Sequence, residues 1–269
     1  FGLEREIGSL TPGRRADVIL TSDLRTLTIE KVLARGQLIA VDGTIITDCP
    51  HLDWPDSARQ TVNMGKTLSA TDFEVSAPSG ANSVTANVIG VVENQAPTKA
   101  LKMDLPVSDG LVEGANGTCQ IALVERHRAT GGVVNAFVSG FGYGGKMAMA
   151  STVAHDSHHM IVVGTDRAHM AMAANRLAEV GGGITIYQDG QETALVKLPI
   201  AGLMSDKPAT EVAASAEKMM QAMRDCGCTL NNAYMQHSLL ALVVIPELRI
   251  SDLGLVDVRT FEFIPVIET

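Results

Sequence analysis

Thr165-Asp-Arg-Ala-His-Met-Ala-Met-Ala-Ala-Asn-Arg-Leu-Ala-Glu-Val-Gly-Gly-Gly-Ile-Thr-Ile-Tyr-Gln-Asp-Gly-Gln-Glu-Thr-Ala-Leu-Val-Lys-Leu198 changes its periodicity half-way along. Before Val180 the apolar Met170, Ala173, Ala174 and Leu177 share one helical face, and Thr165 or Asp166 can cap the first free amides. A helix is expected there, stopped by Gly181-Gly182-Gly183. Beyond the glycines, apolar runs over residues 184–187 and 193–198 flank Asp189-Gly190, a pair that tight hairpins favour. A helix followed directly by a hairpin points to the α+β class.

Working outward, strand-like segments precede this stretch at residues 73–75, 83–92, 99–105, 120–124 and 133–138. Downstream, Pro208 should open a second helix capped by Ser205 or Asp206, running to about Arg224 and stopped by Cys226-Gly227. Its Met219, Met220 and Met223 read as core contacts. The apolar run over residues 239–258, broken by Pro246, leaves its secondary structure open. At the other end, β-branched runs at 16–20, 29–34 and 37–41 are punctuated by Pro12-Gly13, Gly36 and Asp42-Gly43, as in a small all-β unit. An irregular connector over residues 44–64 contains Pro50, Trp54 and Pro55, with Trp54 as its anchor. The expected domains are residues 1–62 and 63–269.

Composition narrows the function. With 269 residues and 46% hydrophobic content the chain can bury a sizeable core. A formal charge of -9 without runs of Lys or Arg argues against a nucleic-acid surface. The irregular spacing of Cys49, Cys119, Cys226 and Cys228 fits neither a disulfide framework nor a paired zinc site, so the expected compartment is the cytoplasm. No run of about 18 apolar residues suggests a membrane span. The chain opens on Phe1, not Met, and is expected to be a fragment.

Three polar groupings could carry chemistry. His155, Asp156, His158 and His159 crowd into a short stretch beside the apolar Met160-Ile-Val-Val-Gly164. Their spacing would suit metal on a helix, but flanking β-branched residues favour a turn between strands. Glu125-Arg126-His127 follows another apolar strand; Arg can grip anions, and Glu or His can shuttle protons. Gly140-Phe-Gly142-Tyr-Gly144-Gly145 spells a dinucleotide fingerprint, with Asp166 downstream. However, residues 146–159 would have to supply the crossover helix, and a Gly-rich hairpin loop is the better reading.

Two sets of residues carry a family resemblance. Ile7-Gly-Ser-Leu-Thr-Pro-Gly-Arg-Arg-Ala-Asp-Val-Ile-Leu20, with Val32-Leu-Ala-Arg-Gly-Gln-Leu38, resembles the closing part of amidohydrolase-superfamily enzymes, where the chain leaves a catalytic barrel and returns to a small β-sandwich. Glu125-Arg-His127, Gly140-Phe-Gly142, Ala150-Ser-Thr-Val-Ala-His-Asp-Ser-His158, Gly181-Gly-Gly183, Pro199-Ile-Ala-Gly-Leu-Met-Ser-Asp206 and Val244-Ile-Pro-Glu-Leu248 are similar, in order, to the C-terminal domain of bacterial adenine deaminase. Where that family often has Asn after the second His of the turn, this chain has His159.

The resemblance implies hydrolysis of adenine to hypoxanthine and ammonia, with a divalent metal, manganese or iron, held by a (β/α)8 barrel that activates water. This chain has no His-x-His strand and no room for the barrel, so it is expected to bind no metal and to be inactive alone. The expected architecture is α+β, a small β-sandwich segment followed by a mixed domain, with the barrel of the same enzyme as partner and a homo-oligomeric assembly. The resemblance also suggests that His155, Asp156, His158, Glu125, Arg126 and His127 face the barrel mouth as auxiliary catalytic residues. The alternative is a structural or oligomerisation domain in which the histidines form a hydrogen-bonded turn.

Overall fold

Short apolar runs separated by turn residues build most of this protein. Its structure, a computed structural model, describes residues 1–48 and 53–268. The expectations for Cys49 and Pro50 fall outside the described residues. Two compact units are present, Phe1–Asp53 and Trp54–Thr269.

The first unit is an antiparallel meander of β1 (Val18–Leu20), β2 (Lys31–Ala34), β3 (Gln37–Val41) and β4 (Thr44–Ile45). Asp42 and Gly43 both take positive φ, 46° and 76°, which is the backbone that a two-residue hairpin turn demands. The turn adds β4, a strand absent from the expected set.

The second unit runs β5 (Ser83–Gly90), β6 (Lys99–Ser108), β7 (Leu111–Val112), β8 (Thr118–Val124), β9 (Val133–Ser139), β10 (Met147–Ser151) and β11 (Met160–Gly164). It continues through α1 (Arg167–Val180), β12 (Gly183–Gln188), β13 (Gln191–Lys197), α2 (Ala209–Asp225) and α3 (Ala233–Leu239) to the hairpins of β14 (Leu248–Ser251), β15 (Gly254–Asp257) and β16 (Glu262–Ile264). Nine strands form one sheet in the order β13-β12-β10-β11-β8-β9-β5-β6-β7. Every neighbour in it is antiparallel except β5 and β9. This is a mixed α+β architecture, and no (β/α)8 barrel occurs among the described residues.

Strands β8, β10 and β11 are buried on both faces, and alternate residues enter different cores. Met147, Met149, Ile161 and Val163 point to one core, shared with Met219 and Met223 of α2. Ala148, Ala150, Met160 and Val162 point to the other, shared with Met170, Ala173, Ala174 and Leu177 of α1. Small residues on the α1 side let that helix lie close. A Cβ added to Gly164 would fall 2.7 Å from Met170 Cγ and 2.9 Å from the Met147 carbonyl. Gly164→Ala should therefore lower stability by about 1–3 kcal/mol, the usual cost of overpacking. Urea denaturation checks this, and an unchanged midpoint would mean that α1 can move off the sheet.

The decisive stretch folds as expected. Asp166 caps α1 by accepting the His169 amide at 3.1 Å, and Gly181 closes it at φ 82°. Three local expectations are corrected. Ala70–Phe73 is a 3-10 turn instead of a strand, because Ser69 and Asp72 form a reciprocal capping box. Neither Ser205 nor Asp206 caps α2: Pro208 occupies the cap, Ser205 Oγ accepts the Lys207 amide and Asp206 pairs with Arg59 at 3.2 Å. The Gly140–Gly145 segment leads from β9 into strand β10, not into a helix, and β9 and β10 are not neighbours, so it is a crossover loop and not a hairpin. Its Gly142, at φ 82°, makes room for the Gly227 carbonyl, which a Cβ would approach to 2.9 Å. That glycine serves packing between two loops.

Candidate functional site

Register brings the two histidine-bearing groups together. Strands β8 and β11 are antiparallel, with Val124 opposite Met160, so Glu125-Arg126-His127 leaves the sheet where Ser157-His158-His159 enters it. His127 donates from Nε2 to the Ser157 carbonyl at 2.9 Å. Arg126 donates from Nε to the His158 carbonyl at 2.5 Å.

Arg126 is 1% exposed. Its remaining nitrogens reach the Thr61 carbonyl and the Ala201 carbonyl, both at 3.2 Å. Burial pulls the guanidinium down to about 10, against the opposing influence of the Glu125 charge. The group that the sequence offered as an anion grip thus fastens three separate backbone segments to one another.

Glu125 is equally engaged. Its Oε1 accepts the amides of His127 and Arg128, at 2.5 and 2.8 Å, and its Oε2 accepts the amide and the hydroxyl of Thr130, both at 3.1 Å. Burial alone would raise this carboxyl, but the bonds from Thr130, Arg128 and His127 outweigh it and hold the group at about 2. A carboxylate that acidic is a poor proton shuttle near neutral pH.

The turn itself is held at both ends. His155 donates its amide to Ser238 of α3 at 2.9 Å, and His158, at φ 50°, donates its amide to the Ala154 carbonyl at 2.6 Å. The His155 and His158 rings meet edge to face at 5.4 Å, while Asp156 is exposed. Burial, together with the charges of His155 and Arg126, pushes the His158 imidazole below its usual range.

A cavity of about 560 Å³ opens beside this junction, with Glu125, His127, Thr130, His159, Asp252 and Leu253 on its walls. His159 is 8% exposed and stands between two carboxylates, with Nε2 3.5 Å from Asp252 Oδ2 and Nδ1 4.0 Å from Glu125 Oε1. The rings of His127 and His159 lie 4.7 Å apart. His155, Asp156 and His158 are not on the walls of this cavity. Among the described residues no group of three or more His, Cys, Asp or Glu could hold a metal ion, so the donor set here does not fit a metal.

Residues 95–262 match the adenine deaminase C-terminal domain. The chain belongs to that family. It is 80% identical over 268 residues to an adenine deaminase of Ruegeria sp. (strain TM1040), and 78% identical over 269 residues to one of Roseobacter denitrificans. A more distant adenine deaminase, from Moorella thermoacetica, is 40% identical over 269 residues. These alignments take in 99–100% of this chain but 45% of each relative, so the chain spans less than half the length of the proteins it matches.

Within this adenine deaminase C-terminal domain, Asp252 and His159 are the wall residues that the sequence reading did not select. Asp252 lies in the turn between β14 and β15, in the tail whose structure was left open. Ser251-Asp252-Leu253-Gly254 between two apolar runs is a hairpin signal that could have located it.

Proposed function

We propose that the complete protein is an adenine deaminase, and that this chain is its C-terminal part. The observation that carries this reading is the alignment of the whole chain, at 80% identity, with a protein named adenine deaminase. In the reaction, water adds to the ring carbon bearing the amino group, the C–N bond breaks, and ammonia departs to leave hypoxanthine. A divalent metal, manganese or iron, would supply the activated water, and residues outside this chain would hold it. The unit Phe1–Asp53 is then the closing part of a β-sandwich. A cytoplasmic setting suits the free, buried Cys119, Cys226 and Cys228, and no helix among the described residues is long and apolar enough to cross a membrane.

In this reading His155, Asp156, His158 and His127 help to polarise or close the active site, while Glu125 and Arg126 hold the turn that presents them. Replacing His155 and His158 together by Ala in the complete protein should lower kcat/KM for adenine about 10- to 100-fold with folding intact, somewhat less than a full general acid–base contribution. Unchanged turnover would remove the turn from the chemistry. Absence of hypoxanthine formation by the complete protein supplied with manganese or iron would overturn the reading as a whole.

One observation favours a second reading, a purely structural domain. The polar atoms of Glu125 and Arg126 are spent on the protein's own backbone. Loss of homo-oligomeric assembly in light scattering, with turnover per site preserved in the double variant, is its signature.

A further inference from the structure

We infer that the cavity beside His159 binds a nitrogen rich in N–H donors, the kind carried as the amino group of an aminopurine or released as ammonium. The inference rests on the proposed deaminase reading for its choice of probes, but its geometry belongs to this chain alone.

His159 is more than nine-tenths buried, yet its Nδ1 has no hydrogen-bond partner among the described residues. The Asp252 carboxylate beside Nε2 keeps the ring proton on that nitrogen. Nδ1 is then a lone pair on the cavity wall, with the ionised Glu125 4.0 Å away. Glu125 Oε1 already accepts two amides and contributes mainly charge. Arg128, on the same wall, is exposed, so solvent screens its charge.

This arrangement selects by sign and by donor count. A ligand presenting carbonyl, carboxylate or phosphate oxygens brings acceptors to a wall of acceptors. A nitrogen with two or more N–H bonds gives one to Nδ1 and turns another toward a carboxylate. His127, with its ring 4.7 Å from that of His159, and Leu253 supply surface for the flat body of an aminopurine. Hypoxanthine, with a carbonyl where adenine has its amino group, makes the matched negative probe.

The test uses the 269-residue chain labelled with nitrogen-15 in its histidines. Ring-nitrogen spectra are followed at pH 7.5 while adenine, hypoxanthine or ammonium chloride is added, with sodium chloride as the salt control. The expected result is a saturable shift of His159 Nδ1 with adenine, with ammonium or with both, and at least tenfold weaker binding of hypoxanthine. Response to adenine alone assigns the site to the amino group of the base; response to ammonium alone assigns it to the released product. Asp252→Asn, at a partly exposed turn position, should weaken the response about tenfold, and His159→Phe should abolish it; backbone amide spectra confirm that each variant is folded. An unmoved Nδ1 with every probe, or equal binding of hypoxanthine and adenine, overturns the inference. A complete protein that deaminates adenine while His159 stays silent sinks this inference alone, whereas an inactive complete protein with a responsive His159 sinks only the deaminase reading.

Discussion

Arg126→Met lowers the stability of the second unit by about 3–5 kcal/mol, because it leaves several buried carbonyls without a donor at once. The three carbonyls belong to Thr61, His158 and Ala201, in segments that meet only through this side chain. Met fills much of the same volume, so the loss comes from unpaired oxygens and not from a cavity. Relief of the burial cost of the charge, the same burial that pulls the guanidinium down to about 10, offsets part of the loss. Arg126→Lys should recover less than half, since one ammonium cannot reach three carbonyls held in a fan. Urea titration of both variants measures this, and a change below about 1 kcal/mol for Met would show that the carbonyls find other donors.

Glu125→Gln is the second large effect, about 2–4 kcal/mol, since four donors converge on the carboxylate and an amide turns its own N–H groups against two of them. Its pH dependence is specific. The folded carboxyl sits at about 2 against an ordinary 4.5. A depressed folded value means that the contribution, about 3 kcal/mol, is complete above the unfolded value and is lost as pH falls toward the folded one. Between pH 5 and pH 3 the unmodified chain should lose about 2 kcal/mol that the Gln variant, already lacking it, does not. Equal acid sensitivity of the two chains would refute this account of Glu125.

What was legible in the sequence was whatever depends on neighbours along the chain. The face of Met170, Ala173, Ala174 and Leu177, the Asp166 cap and the Gly181 stop are local, and each is found where expected. The two polar groups at 125–127 and 155–159 were legible separately. Their meeting depends on the register of β8 against β11, which local sequence does not encode. Asp252 was hidden for the same reason, reaching His159 from a hairpin far along the chain. Chemical type also misleads: an arginine after an apolar strand reads alike whether it grips a ligand or backbone carbonyls, and only its burial separates the two.

The bonds of Arg126 join residues 32, 65 and 75 positions apart. Each is a closed loop whose entropy must be spent before the bond returns anything, and contacts of such separation form late when a chain folds. The histidine turn therefore takes its shape only on a sheet already assembled. A nascent or partly unfolded chain carries the same imidazoles without the arrangement that gives them a common cavity, and whatever chemistry they support is withheld until folding is complete.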